Sequence, residues 1–466
     1  MKKNLKLFGS ILALSFAMIA CENNDQDLMP ESDDLKKANL GMIKSYDNAM
    51  VLTWNELLSQ AVDNKMPAPA ESRIYAMVTL AVHDALNNAV PIYETYALDN
   101  QEAFYKDISK KNIWSIANAA VAQAAHDALV ALVPALAANA DLLLTSSLAE
   151  IEESEFKARG IQAGKDAALA ILAKRQNDVL PKFESYPQGT EPGQYKSTIP
   201  FKFAGRTWPA NAVYAPYWGE TEPFGILAGD QFRPVPPYVI NSLEYTADYN
   251  EVKNIGSNTS DVRTPDQTAM GIFFTENMPS MMNKVARIMA VQEDLDGWET
   301  ARLFALTHMS VADALISSFD GIYFYKFWRP VTAIQEGDTD GNDDTAGDAV
   351  WSPVTIARPT PPLPSYPSSY ASAGTAGAEV FKMFFKKDSK SFSVGSYTLP
   401  GSERSFTSFS QFAMEMAESR IYAGHNFRND NIAGVKLGKQ VASFVFENNL
   451  RAVRIISNNG NGTFPN

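Results

Sequence analysis

Residues 115–144, SIANAAVAQAAHDALVALVPALAANADLLL, narrow the possible folds more than any other stretch of the chain. Alanine is the strongest helix former, and a surface of methyl groups lets two helices approach closely. A run this long, broken only by Pro134, predicts helices in a tightly packed bundle. In SRIYAMVTLAVHDALNNAV (72–90), Ile74, Met77, Val78, Ala81, Val82 and Ala85 recur at the three-and-four spacing of one helix face. FKARGIQAGKDAALAILAKRQ (156–176) has the same character. Helical patterning returns at 242–254, 264–276, 278–293, 296–319, 369–385, 408–424 and 431–448. Thr264 followed by Pro265 reads as an N-cap with proline at the first helical position. No strand-like alternation runs beyond a few residues, so the predicted class is all-α. Residues 180–240 interrupt the pattern with closely spaced prolines and aromatics, and predict a long irregular excursion that caps one end of the bundle. A second irregular stretch runs from about 330 to 367.

Composition removes several function classes. The formal charge is −13, from 40 basic and 53 acidic residues, whereas nucleic-acid binding needs clustered positive charge. With one cysteine, Cys21, there is no intrachain disulfide, and four dispersed histidines offer no zinc set, so no metal site is assigned. The acidic run DTDGNDDT (338–345) lacks the glycine that an EF-hand loop needs at its sixth position, where Asp343 stands, and reads as a solvated turn or an irregular calcium loop. Lys2, Lys3 and Lys6 precede the apolar run LFGSILALSFAMIA, which is short for a membrane span and has the pattern of a signal peptide over residues 1–20. MIAC resembles the bacterial lipobox. That resemblance implies lipidation at Cys21 and a cell-envelope protein anchored outside the inner membrane. Residues 21–45 are polar and acidic and read as a flexible tether, leaving 46–466 as one all-helical domain.

Three stretches within 296–448 form a set: DGIYFYKFWRP (320–330), PPLPSYPSSYASAG (361–374) and SRIYAGHNFRND (419–430). Their order and spacing resemble the vanadium-dependent haloperoxidases, which share fold and site with the type-2 phosphatidate phosphatases. VHDALNNAVPIYETY, WGETEPFGI and NEVKNIGSNTSDVRTPDQT extend the resemblance to the bacterial haloperoxidase-like branch, over about residues 48 to 448. The resemblance implies an all-helical pair of four-helix bundles. It also implies a site in which lysine and arginines neutralise an oxyanion through charge-assisted hydrogen bonds. A Ser-Gly-His helix start adds backbone N–H donors. One histidine attacks phosphorus or binds vanadium apically, and another acts as general acid and base.

Carried onto this chain, the resemblance makes Arg329, Ser368 and Arg420 oxyanion-binding candidates. Ile322 stands where the family has its lysine, and Lys326 is either a surface lysine or a displaced substitute. Ser369 replaces the glycine but keeps its backbone N–H and so stays an oxyanion-binding candidate, and Tyr370, whose ordinary pKa of roughly 10 makes it a poor base, replaces the acid–base histidine. Asn426 replaces the reacting histidine as a hydrogen-bonding candidate. His425 lies one position early. A one-residue shift on a helix rotates a side chain by about 100°, which predicts that His425 points away from the ligand unless the backbone breaks after Gly424. His425 and Asp430 are the candidate catalytic residues, and His83, His126 and His308 read as structural. Three functions follow. The first is an impaired relative that keeps a pocket for a phosphate-like anion or a small phosphorylated or sulfated ligand. The second is an active phosphatase, or a haloperoxidase with vanadate as cofactor, whose rearranged site uses His425 or Lys326. The third is a non-catalytic scaffold.

Overall fold

Six of the thirteen α-helices among the described residues begin at a side chain that accepts a first-turn N–H: Ser154, Ser242, Thr264, Asp296, Ser368 and Ser408. The computed structural model describes residues 43–98, 108–198, 211–354 and 360–453, with the backbone of 202–203 and 206–207. The expected signal peptide, Cys21 and most of the tether lie outside them. The helices are α1 (Ala49–Val62), α2 (Ala68–Ala89), α3 (Ile113–Leu132), α4 (Ala137–Ala149), α5 (Glu155–Lys174), α6 (Leu243–Ile255), α7 (Pro265–Phe273), α8 (Met278–Gln292), α9 (Gly297–Tyr325), α10 (Pro330–Gln335), α11 (Ser369–Phe384), α12 (Phe409–Tyr422) and α13 (Arg428–Asn448). Thr264 caps α7 as expected: its side chain accepts from the Gln267 N–H while Gln267 reaches back to the Thr264 N–H, a reciprocal capping box. Asp296 and Glu299 cap α9 in the same way.

Ala38–Val453 form one compact unit. Its axis is α9, a 29-residue helix about 43 Å long. Every residue from Leu303 through Phe319 is buried, so α9 is surrounded on all faces. On one side α2, α3 and α5 pack together, with α2 against α9 and α1 against α3. On the other, α11 and α13 pack against each other and against α9, with α12 against α11 and α8 against α9. The periodic residues Ile74, Met77, Val78, Ala81, Val82 and Ala85 are all buried, as their spacing predicts. Helices α11 and α13 approach closely because Gly434 faces α11: a Cβ there would stand 3.0 Å from that of Ala371. None of the described helices is long and apolar enough to cross a membrane.

The excursion after α5 is tied down by polar contacts. Strand β1 (Phe183–Ser185) precedes a short ladder of β2 (Lys202–Phe203) and β3 (Arg206–Thr207) and pairs antiparallel with β4 (Ala212–Tyr214). The pairing sets Phe183 opposite Tyr214. Asp313 on α9 accepts the N–H groups of Phe224, Gly225 and Ile226, the last two at 2.6 and 2.9 Å. A hairpin of β5 (Phe392–Ser396) and β6 (Leu399–Phe406) was not expected from the sequence. It buries Phe392, Val394 and Phe406, while Ser402–Ser405 of β6 are polar on both faces and so show no alternation.

Candidate functional site

A cavity of about 110 Å³ opens between the two helical groups, lined by residues from α2, β1, β4, α8, α9, α11 and the 361–363 and 425–426 loops. Arg329, Ser369, Tyr370, Arg420, His425 and Asn426 supply polar groups to its lining. Ser368, Lys326 and Asp430 are not among its lining residues, whereas Thr275 and Asn277 are. The walls are Phe183, Tyr214, Met278, Leu315, Phe319 and prolines 67, 69, 361 and 362, residues scattered along the chain and not foreseen as neighbours.

His425 requires a correction. The rotation argument assumes that α12 continues through residue 426, but the helix ends at Tyr422 and Gly424 adopts φ +75°. That left-handed backbone suits glycine, which has no Cβ to clash. Around it, the N–H groups of His425 and Asn426 both turn back onto the Arg420 carbonyl, at 3.0 and 3.4 Å. The result swings the His425 ring into the cavity, with Nδ1 3.0 Å from Arg420 Nη2. Arg329 holds the same residue from the other side: its Nη1 donates to the His425 carbonyl at 3.0 Å and its Nε to the Leu363 carbonyl at 2.7 Å. His425 and Arg420 are each only 1% exposed and Arg329 is 3% exposed.

This geometry decides the tautomer. A guanidinium has only donors, so His425 Nδ1 must accept, and the neutral ring carries its proton on Nε2. Burial, followed by the Arg420 and Arg329 charges, holds the His425 pKa well below the usual histidine value. The ring is neutral near pH 7. Its Nε2 is buried without a hydrogen-bond partner among the described residues, and so offers an N–H to whatever enters.

The remaining candidates divide by position. Ser369 and Tyr370 begin α11, and their N–H groups belong to the first turn, where no intrahelical acceptor exists. Ser368 is the N-cap, with its hydroxyl facing the Ala371 N–H at 3.4 Å and its own N–H on the Asp430 carbonyl at 2.9 Å. Tyr370 fills the expected acid–base position with a ring under Arg420, 4.1 Å from Cζ, and a hydroxyl 3.3 Å from the Thr275 carbonyl. Asn426 lines the cavity, yet its amide nitrogen faces the Ser365 carbonyl at 3.0 Å and the Asp430 carboxylate at 3.1 Å. Both amide hydrogens are thereby used, which corrects the expectation that Asn426 donates to an anion. Asp430 is behind the cavity wall, where its carboxylate also accepts from the Ser365 hydroxyl and the Phe427 N–H. Burial pushes its pKa up to about 6. It positions Asn426 and the start of α13, and does not reach the cavity. Lys326 is exposed, at the left-handed C-cap of α9 with φ +53°, and Ile322 is fully buried core. The family's lysine position thus holds an alkyl group, and Lys326 does not line the cavity.

Among the described residues the other histidines and the acidic loop are held in structural contacts. His83 and His308 are fully buried and bonded to the Glu94 carbonyl and Asn283. His126 lies between Asp127 and Asp141 at 2.7 and 2.8 Å. In the acidic loop, Asp338 accepts from the Gly347 N–H and Asp340 from the Asn342 N–H and Thr345 hydroxyl, so these carboxylates brace their own turn. Among the described residues no group of three or more acidic, histidine or cysteine side chains is placed to hold a metal ion. The donor set does suit the oxygens of vanadate, which is itself an oxyanion. It does not suit vanadate as a nitrogen-ligated centre, because His425 Nδ1 is occupied, Nε2 carries a proton, and Asn426 has an amide in place of an imidazole.

Comparison with known proteins agrees with this reading of the fold. Residues 302–454 match the family model of the VCPO second helical-bundle domain. The vanadium chloroperoxidase of Curvularia inaequalis is 26% identical over 410 residues, covering 73% of this chain; the match spans 66% of that relative's length. Among solved structures, the first bacterial vanadium-dependent iodoperoxidase superposes with a TM-score of 0.68 at 23% identity, covering 86% of this chain and 96% of that one. A holo-type bacterial vanadium-dependent chloroperoxidase gives 0.65 at 17% identity, covering 86% and 97%. At these identities the two superpositions establish the shared fold.

Proposed function

We propose that the chain is a member of the vanadium-haloperoxidase superfamily whose cavity binds a phosphate-like oxyanion while the chemistry of the superfamily is impaired. In this reading the protein is an exported, lipid-anchored envelope protein that captures a small phosphorylated or sulfated ligand. The observation that carries the proposal is the Arg420–His425 hydrogen bond at 3.0 Å, because it turns the one imidazole in the cavity into a donor. Arg329, Arg420, Ser369, Tyr370 and His425 all line this cavity, and in this reading they would turn donor groups toward one ligand. Buried guanidiniums are costly to desolvate, and the Arg329 bonds made so far are to neutral carbonyls. Burial lowers the Arg329 pKa and the nearby Asp430 charge raises it, but Asp430 does not line the cavity, and a bound dianion would add charge-assisted hydrogen bonds inside it.

Phosphoryl transfer needs a nitrogen lone pair aimed at phosphorus and a proton donor for the leaving oxygen. Here the lone pair of His425 is directed at Arg420, and the position of the second imidazole holds the Tyr370 phenol over a carbonyl. The competing reading, His425 as nucleophile, draws on the same unpartnered Nε2 and requires Arg420 to release Nδ1 so that the ring changes tautomer. One experiment separates the two. The purified protein is melted with sulfate, phosphate and vanadate, and assayed for aryl phosphate hydrolysis and for vanadate-dependent bromination. Stabilisation by the anions with neither activity is expected. Phosphate release lost in His425→Ala, or bromination, would establish the active enzyme in its place. No effect of any anion would leave a scaffold.

A further inference from the structure

Resting on the anion reading, we propose that the natural ligand is an aryl or similarly flat apolar compound bearing one tetrahedral anionic head, and not a free inorganic anion. The cavity lining is of two kinds. Arg329, Arg420 and His425 carry its charge and donors, and Phe183, Tyr214, Met278, Leu315, Phe319 and Pro361 supply apolar lining. Phe183 and Tyr214 are cross-strand partners in β1 and β4 with ring centroids 4.9 Å apart, so the excursion presents paired aromatic rings. Leu315 and Phe319 are four residues apart on α9, on one helix face. The ladder is fixed against the opposite loop by the Tyr214 N–H, which donates to the Pro362 carbonyl at 3.0 Å.

A bare anion would satisfy the charged groups and leave the apolar lining facing water. A ligand with a ring next to its anionic group satisfies both, since burying the ring against apolar walls adds affinity that the head group alone lacks. The cavity volume, about 110 Å³, suits a compact apolar group. Two guanidiniums favour a dianionic head, a phosphate ester, over a monoanionic sulfate.

Non-hydrolysable probes test the idea independently of turnover. Affinities of methylphosphonate, phenylphosphonate and benzenesulfonate are measured by calorimetry on the folded protein, alongside inorganic phosphate. Phenylphosphonate is expected to bind on the order of 10- to 100-fold more tightly than methylphosphonate, with benzenesulfonate weaker than phenylphosphonate. In Phe183→Ala phenylphosphonate should lose more affinity than methylphosphonate, so the phenyl advantage shrinks. Equal affinities for the methyl and phenyl compounds would overturn the aryl inference and leave the anion site standing. Tighter benzenesulfonate than phenylphosphonate would overturn the dianion preference. Absence of binding by all four compounds would overturn the anion reading itself, and this inference with it.

Discussion

Replacing Gly424 by alanine tests the backbone break that places His425. At φ +75° an L side chain is strained by about 1–2 kcal/mol. The added Cβ would lie 2.9 Å from the Pro353 Cβ and 3.0 Å from the Trp351 ring, and closer still to the Gly256 carbonyl oxygen. Because that nearest atom is backbone, it cannot rotate aside, and overpacking of this kind costs about 1–3 kcal/mol. The expected destabilisation of Gly424→Ala is therefore about 2–5 kcal/mol, read as a lower urea midpoint at unchanged slope. The functional effect should exceed the general loss of stability. The turn that Gly424 permits is closed by the His425 and Asn426 N–H groups on the Arg420 carbonyl, so distorting it separates the imidazole from the guanidinium. In the native protein, sulfate at about 100 times its dissociation constant should add about 2.7 kcal/mol. In the variant, the same concentration should add little. A Gly424→Ala protein within about 0.5 kcal/mol of the native one, with full stabilisation by sulfate, would refute the reasoning.

Other expectations are shorter to state. His425→Ala removes one hydrogen bond to a charged ligand and should weaken sulfate binding roughly tenfold; unchanged affinity would place the ring outside the binding set. Because the His425 pKa lies well below 6.5, sulfate affinity should be flat from about pH 6 to 8, and a rise in affinity as pH falls through 6.5 would show a titrating imidazole. Glu71, fully buried against Asn277 and Ser280, has its pKa pushed from 4.5 to about 8 by burial. The folded state thus holds this proton more tightly than the unfolded one. The stabilisation is complete below pH 4.5 and lost as pH rises through 8, at about 1.4 kcal/mol per pH unit between the two. Relative to Glu71→Gln, the native protein should lose stability by that slope, and parallel pH profiles would contradict it. Replacing Cys21 by serine should abolish incorporation of labelled palmitate in cells; retained label would end the lipoprotein reading.

The helices were legible because burial imposes a three-and-four spacing that survives in the sequence, and because Thr264 and Pro265 spell the start of α7. The ends were harder to read. Helix α12 was expected to reach residue 424 and α13 to begin at 431, whereas they end at Tyr422 and begin at Arg428. Those few residues reverse the direction assigned to His425, since a per-residue rotation applies only while the helix lasts. Glycine at 424 was the available signal for the break. The charged lining of the cavity was found because Arg329, Arg420 and the α11 start lie in recognisable motifs. Its apolar walls were not, because Pro67, Phe183, Tyr214 and Phe319 meet only through long-range packing, and each alone reads as an ordinary core or loop residue. Asn426 shows a related limit: its residue type suggested a donor to the ligand, and only the positions of Ser365 and Asp430 reveal where its hydrogens go.

The central claim is that the cavity meets an oxyanion with donors alone. Crystals soaked with vanadate test it most directly. The account predicts a tetrahedral anion whose oxygens lie within hydrogen-bond distance of Arg329, Arg420 and His425 Nε2, with no bond from vanadium to protein nitrogen. A vanadium–nitrogen bond to His425, or a cavity left without the anion, would contradict it.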